Sequence, residues 1–388
     1  MVSIESRQSE RKGHSVHTAI LRTADKLTGE VGIRRFPMNN VIITSPDVAQ
    51  ELLQYEGYGI ISKKTALNRR LGEEIGPKSI VSIESYANPQ EITATRELMS
   101  EFFREHTHAY ISGVSQTAEK LCEEIKNSNG MNDLYTHIHR AYIYGLLQAF
   151  ETTDDVNIDT LQKEIIHISA DVSIKTAIGS RAGEFFISSV LGSREMRRSE
   201  SNKWINSVID RNKGLWDLEE RKDSEDSMRA NLLLLLGAGT TSPAAVACWS
   251  IYDIARDAKE REHFIHSEHK RDLTELMART MVRHPFGFVI NRYVDKDITI
   301  RDVPLYTGDT VWFLTIPGKE VPEQMNMFGN SFGSGPRDCL GKHTAIGAYV
   351  KFMQVWQGYF TNWVVTEPQT PIYFATLKPK GMNITITS

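Results

Sequence analysis

The stretch LLLLLGAGTTSPAAVACW, Leu232 to Trp249, most limits what this chain can become. It carries no charge and is close to the length that spans a bilayer, about 20 residues. Two features argue against a span. Thr240, Thr241, Ser242 and Pro243 sit at its centre, and the charged segment RKDSEDSMR crowds its N-terminal side. No second segment of this kind follows. A helix apolar all round is otherwise the buried core helix of a large protein. The chain can build that core: 388 residues at 40% hydrophobic composition suffice for one large domain or two smaller ones.

A formal net charge of −4 gives no sign of a polyanion partner such as nucleic acid. Three cysteines, Cys122, Cys248 and Cys339, are odd in number and far apart. They predict free thiols in a reducing compartment rather than a disulfide framework. The N-terminal MVSIESRQSERKGHSVHT lacks the apolar core of a secretory signal.

The patterning predicts a mostly helical chain. EVGIRRFP and NNVIITS read as a short hairpin. SPDVAQELLQ reads as a helix capped by Ser45 with Pro46 at its first position. Residues 61–90 read as irregular, being rich in Gly, Ser and Lys. TATRELMSEFFREH, SQTAEKLCEEIKNS and TLQKEIIHISADVSIKTAI read as helices. The block SREMRRSESNKWINSVIDRNKGLWDLEERKD reads as a charged helical stretch with a solvated face. DVPLYTGDTVWFLTIP and PIYFATLKPKGMNITIT read as strands. With no repeat, low-complexity tract or clear linker, the expectation is one domain over 1–388.

The segment FGSGPRDCLG, Phe332 to Gly341, carries the chemistry. Gly333 and Gly335 permit backbone conformations closed to other residues and let something flat approach. Successive N–H groups of such a loop can converge on one sulfur. KHTAIGAYVKFMQVWQGYF then reads as a helix, whose N-terminus is expected to lower the Cys339 pKa. Arg337 adds a cation. On these residues alone, a buried free cysteine in a glycine-rich turn remains an open alternative.

FGSGPRDCLG resembles the haem-binding loop of the cytochrome P-450 family at every defining position: Phe332, Gly333, Gly335, Arg337, Cys339 and Gly341. The resemblance implies a mainly α-helical single-domain fold with small β-sheets, and a b-type haem whose iron is ligated by Cys339. Arg337 would pair with a haem propionate. LGAGTTS lines up with the Gly-x-acid-Thr stretch of the family's central helix. That implies open room at Gly237, a proton-steering hydroxyl at Thr240, and Gly239 where the family has its acid. Arg292, in TMVRHPFGFVINRY, would bind a propionate, and so would Arg96, in NPQEITATRELM, where Ile92 stands in place of a His. By position, Gly237, Ala238, Phe286, Phe288 and Val289 would line a substrate pocket, with residues 64–86 and the turn around Ala375–Leu377. Plain core packing would account for these positions equally well.

The sequence departs from the family pattern where function is concentrated. A general acid–base group contributes about 10²–10⁴-fold, and Gly239 supplies none. The family's Glu-x-x-Arg appears as Thr280-Met281-Val282-Arg283. Glu275 and Arg279 have the i,i+4 spacing of a surface pair. The loop after TVWFLTIP is shorter than the family's and lacks its arginine. The resemblance implies a monooxygenase that oxidises a small, mostly apolar molecule with dioxygen and a ferredoxin- or flavodoxin-type partner. It points to the cytoplasmic bacterial branch, free of membranes and often devoted to natural products. Two alternatives stay open. One is a peroxygenase or redox-neutral isomerase or dehydratase, which would not need the missing acid. The other is a non-catalytic haem protein.

Overall fold

The computed structural model describes residues 33–36, 39–83, 89–178, 187–189, 193–212, 222–286, 289–314, 327–374 and 376–387. The N-terminal segment, residues 84–86 of the expected pocket wall, Phe288, residues 315–326 and Ala375 lie outside the described residues.

The chain enters through the expected hairpin, β1 (Ile33–Phe36) and β2 (Asn40–Ile43). Helix α1 (Pro46–Gln54) starts at Pro46, whose fixed φ suits a first helical position. Its Val48, Ala49, Leu52 and Leu53 share one face and are buried. A 3-10 turn, Tyr55–Tyr58, extends it, and β3 (Ile61–Ser62) follows.

Helix α2 (Ala66–Ile75) corrects the expectation of irregular backbone over 61–90. Its start is set by Thr65, whose hydroxyl accepts from the Asn68 N–H at 3.3 Å. Another correction follows: the two helices expected between 93 and 128 are one, α3 (Pro89–Ser128), of 40 residues. At 1.5 Å per residue it is about 60 Å long.

Strand β4 (Gly130–Met131), α4 (Leu134–Ala149), α5 (Ile158–Ile178) and α6 (Ser199–Asn212) come next. The charged block places only part of itself in α6, which buries Trp204, Ile205, Val208 and Ile209. Residues 213–221 lie outside the described residues. Helix α7 (Lys222–Leu234) runs through a π-helical segment, Leu235–Gly239, into α8 (Thr240–Arg256). Together they form the central helix. Over Glu225–Arg256 it is long and apolar enough to cross a membrane, but 67% of its most apolar window is buried inside the fold. It is a core helix, as its patterning suggested.

Helices α9 (Ala258–Ile265) and α10 (Lys270–Arg283) precede strands β5 (Val289–Val294), β6 (Ile298–Ile300), β7 (Val303–Leu305) and β8 (Thr310–Leu314). Helix α11 (Lys342–Tyr359) and strands β9 (Trp363–Val365), β10 (Gln369–Phe374), β11 (Thr376–Lys380) and β12 (Ile384–Ile386) complete the chain. The largest sheet has the order β1-β2-β8-β5-β3, parallel only between β2 and β8. Val41, Ile43, Leu52, Val294 and Phe313 form a small core between this sheet and α1. The main core joins α3, α4, the central helix, α10 and α11.

One crossing fixes the helical layer. A Cβ at Gly113 of α3 would lie 2.8 Å from the Gly145 Cα of α4, and one at Gly145 would lie 2.6 Å from Val114. Only glycine at both positions lets these backbones touch.

Three ionic or polar links hold α8, α9, α10 and α11 together. Glu260 of α9 takes Arg279 in a two-point contact at 3.0 and 2.9 Å, and also Arg283 at 2.7 Å. Asp253 of α8 bonds Arg283 and His284, and the His284 ring stacks on Trp249 with centroids 4.1 Å apart. Thr280, standing where the resembled pattern has a glutamate, shares buried hydroxyl contacts with Ser250, which also bonds Tyr349. Glu275 pairs with Arg271 at 2.9 Å, so the expected partnership with Arg279 is corrected. Arg279 reaches a deeper carboxylate on another helix, and a desolvated two-point contact outcompetes a solvated one.

Candidate functional site

Cys339 is held in a short, fully bonded loop. Its N–H donates to the Phe332 carbonyl at 2.7 Å, and its carbonyl accepts from Lys342 N–H at 3.3 Å. Gly333 and Gly335 adopt φ of 77° and 68°, in the left-handed region that favours glycine. A Cβ at Gly335 would come within 3.0 Å of the Leu53 carbonyl, so the loop lies directly on α1. Lys342 sits 5.7 Å from the ring centroids of both Phe328 and Phe332.

The Cys339 residue is exposed, yet the surrounding protein desolvates its thiol and pushes the pKa up. The Gly341 N–H, Arg96 and Lys342 pull it down, while Asp338 adds to the rise. The expected depression by the helix start is therefore corrected: burial wins in the protein by itself.

Helix α3 ties this loop to the central helix. Arg96, Phe103, Thr107 and Tyr110 recur at spacings of 7, 4 and 3 and so share a face. Arg96 binds Asp338 at 2.8 Å, beside Cys339. The Phe103 ring packs 3.5 Å from the Gly341 Cβ position. Thr107 contacts the Thr344 hydroxyl in the first turns of α11 at 2.7 Å. Tyr110 donates to the Gly239 carbonyl at 3.2 Å. Thr107 and Tyr110 are separated by about 4.5 Å of helix rise, so the cysteine loop and the π segment are near neighbours.

The π segment follows from TTSP. Pro243 has no N–H and cannot bond a carbonyl one turn back. That frees one carbonyl, and four consecutive carbonyls here carry hydroxyl donors. Thr240 donates to Leu236 at 2.6 Å, Thr241 to Gly237 at 2.7 Å and Ser242 to Ala238 at 2.7 Å. Tyr110 serves Gly239. Such widened turns recur at functional sites.

The sequence-predicted residues divide here. A Cβ at Gly237 would meet nothing within 4 Å. Ala238 is exposed and Ser242 partly so. Thr240 is fully buried, with its hydroxyl 3.1 Å from His139 Nε2. It faces the packed side of the helix, and Ser242 occupies the more open one. A Cβ at Gly239 would press on the Leu235 side chain at 2.7 Å. Phe286 packs against the main core, while Val289 is described only as the first residue of β5.

Arg292 and Arg337 converge on a carboxylate that sequence reasoning missed. Glu56, 1% exposed, accepts Arg292 Nε at 2.8 Å on one oxygen and Arg337 Nε at 2.7 Å on the other. Arg337 also donates to the carbonyls of Ile80 and Ile83. Burial raises the Glu56 pKa, but Arg292, Arg337 and Lys63 outweigh it and hold the carboxyl down at about 2. Two arginines and Lys63 thus surround one carboxylate. No residue pattern near Glu56 marks it, because its partners lie 236 and 281 residues away.

Residues 73–78, within the expected pocket wall, line a cleft of about 590 Å³ with Arg194, Arg198, Asp226 and Arg229. Its lining mixes these charged side chains with Ile75, Ile205, Ala230 and Leu233.

Solved structures share this fold. P450BioI, in complex with an acyl carrier protein ligated by hexadec-9Z-enoic acid, is 14% identical with a TM-score of 0.69, covering 95% of this chain and 98% of that one. The chain has the cytochrome P-450 fold. A six-coordinated cytochrome P-450 from Thermus thermophilus is 14% identical, with a TM-score of 0.68 and coverage of 92% and 94%. Cytochrome P-450 RauA, complexed with a biosynthetic intermediate of aurachin RE, is 16% identical, with a TM-score of 0.69 and coverage of 95% of each chain. No protein-family model matches the sequence, and no curated protein is significantly similar to it.

The residues fit a haem. Among the described residues no group of three or more His, Cys, Asp or Glu could hold a bare metal ion. A lone thiol on a glycine-rich loop suits an ion that already carries its other ligands in a flat ring. The guanidinium groups gathered at Glu56 suit the acidic edge of that ring.

Proposed function

We propose that this chain is a haem-thiolate oxidoreductase, a cytochrome P-450-like monooxygenase acting on a small organic molecule. The observation that carries the reading is the Cys339 loop, set by one face of α3 against a widened turn of the central helix. Haem, when bound, supplies oxygen chemistry that no side chain provides. Cys339 would be its protein ligand. Phe332, Gly333, Gly335 and Gly341 would shape the loop beneath it. Arg96, Arg292 and Arg337 would hold its propionates, sharing the last two with Glu56. Gly237 and Ala238 would leave room for substrate. The chain would work as one domain in the cytoplasm with a ferredoxin- or flavodoxin-type reductant, in natural-product synthesis.

A specific observation supports a second reading, a peroxygenase. The widened turn carries no carboxylate, and its three hydroxyls donate to backbone carbonyls. Peroxide brings its own protons and needs less of a relay.

The test has two arms. Haem-loaded protein, reduced under carbon monoxide, should show the red-shifted band of thiolate ligation, and Cys339→His should keep haem but lose the band. Survival of the band in that variant would overturn the assignment of Cys339. Product formed with reductase and dioxygen, against product with peroxide alone, separates the two readings.

A further inference from the structure

His139 lies on α4, outside the cysteine loop and the arginine cluster, and is fully buried. Its hydrogen bonds have only one consistent direction. Gln162 Nε2 donates to the Thr136 carbonyl at 2.8 Å, which fixes that amide as the donor side. The same nitrogen lies 3.3 Å from His139 Nδ1, so Nδ1 accepts. The imidazole proton then sits on Nε2 and donates to Thr240 Oγ1 at 3.1 Å. Thr240 donates its own hydroxyl hydrogen bond to the Leu236 carbonyl. Burial pushes the His139 pKa down to about 3, with Lys378 adding to the fall. The ring is therefore neutral, as this chain of donors requires. The ring also stacks on Tyr135, centroids 5.7 Å apart, which limits its rotation.

We infer that His139 is a positioning residue that acts through Thr240 to lock the widened turn Leu235–Gly239, and with it the room above the proposed haem. Leu236 is the first carbonyl in the widened turn that a side-chain hydroxyl satisfies. Without that bond, the turn is free to slip toward ordinary helix spacing, which would move Gly237, Ala238 and Ser242 together. Thr240 thus belongs to the brace. The inference rests on the haem-thiolate reading for its functional consequence, but the brace itself does not need haem.

The experiment compares haem-loaded wild type with His139→Phe, Thr240→Val, the double variant and Thr240→Ser. His139→Phe keeps an aromatic ring against Tyr135, and Thr240→Val keeps the side-chain shape. Amide exchange over 235–239, followed by mass spectrometry, should rise on the order of tenfold in each of the two single variants, the scale of one lost buried partner. The double variant should be no faster than either, because both changes break the same link. Thr240→Ser should restore the wild-type rate. The affinity for imidazole, read from its spectral shift at the haem, should change in His139→Phe and Thr240→Val and return in Thr240→Ser. Additive exchange effects, or unchanged exchange in Thr240→Val, would overturn the brace. Absence of the thiolate carbon monoxide band from the wild type would instead sink the haem reading, while the exchange data would still decide the brace.

Discussion

Glu56 is the residue on which the arginine cluster turns. Its carboxyl titrates at about 2 rather than at the ordinary 4.5, so its folded-state pKa is depressed. The stability this contributes is present above the ordinary carboxylate range and is lost as pH falls toward about 2. Wild-type protein should therefore lose stability over that acid window, and Glu56→Gln should flatten the loss. At neutral pH the variant should be less stable by about 3–5 kcal/mol, because two buried guanidinium groups lose their shared counter-charge. Denaturant titrations at several pH values would check both outcomes. An unchanged acid profile in Glu56→Gln would show that another group governs it. The cysteine loop was legible because its signal is local: ten adjacent residues specify turn, ligand and cation. Glu56 was not, because charge complementarity between distant segments leaves no mark in either of them.

Among the elements, the link between α9 and α10 is the sharpest departure from the resembled pattern. Glu260 is largely buried and takes both Arg279 and Arg283. Burial raises its pKa, but the two arginines outweigh this and leave the carboxyl below its usual value. Glu275 is bound to Arg271, whose side chain is 81% exposed. Glu260→Gln should lower the thermal midpoint by several degrees, as a partly buried network loses its centre. Glu275→Gln should cost about 0.3–0.5 kcal/mol and barely move it. The reverse ranking in a thermal melt would mean that the exposed pair holds the helices. Periodicity revealed α1, α3 and α11 because each has an apolar stripe. It hid α2, whose short sequence is rich in charge and whose start depends on a single threonine cap. It also divided α3, since a run of polar residues around His106 and His108 reads as a break.

For the whole molecule, the proposed cofactor should act as a stabilising ligand. Its clamp draws on β5, on the 3-10 turn after α1, on α3 and on the cysteine loop, so holding it would join the sheet to the helical layer. Added haem should raise the thermal midpoint in proportion to the logarithm of its excess, about 2.7 kcal/mol at 100 times its dissociation constant. Arg337→Ala should shrink that rise, and a haem-independent midpoint would argue against a specific site. The fold as a whole was readable because one apolar helix needs many others around it, and one loop says what they enclose. The shared face of α3 has a further implication. It works as a caliper: a single rigid rod touches the thiol loop at two points, the start of α11 at one and the widened turn at one. One residue inserted between Thr107 and Tyr110 would swing Tyr110 by about 100° and advance it by 1.5 Å. The gap above the thiol is thus written in a count of residues, so point substitutions can reshape its walls while only insertions or deletions can reset its height.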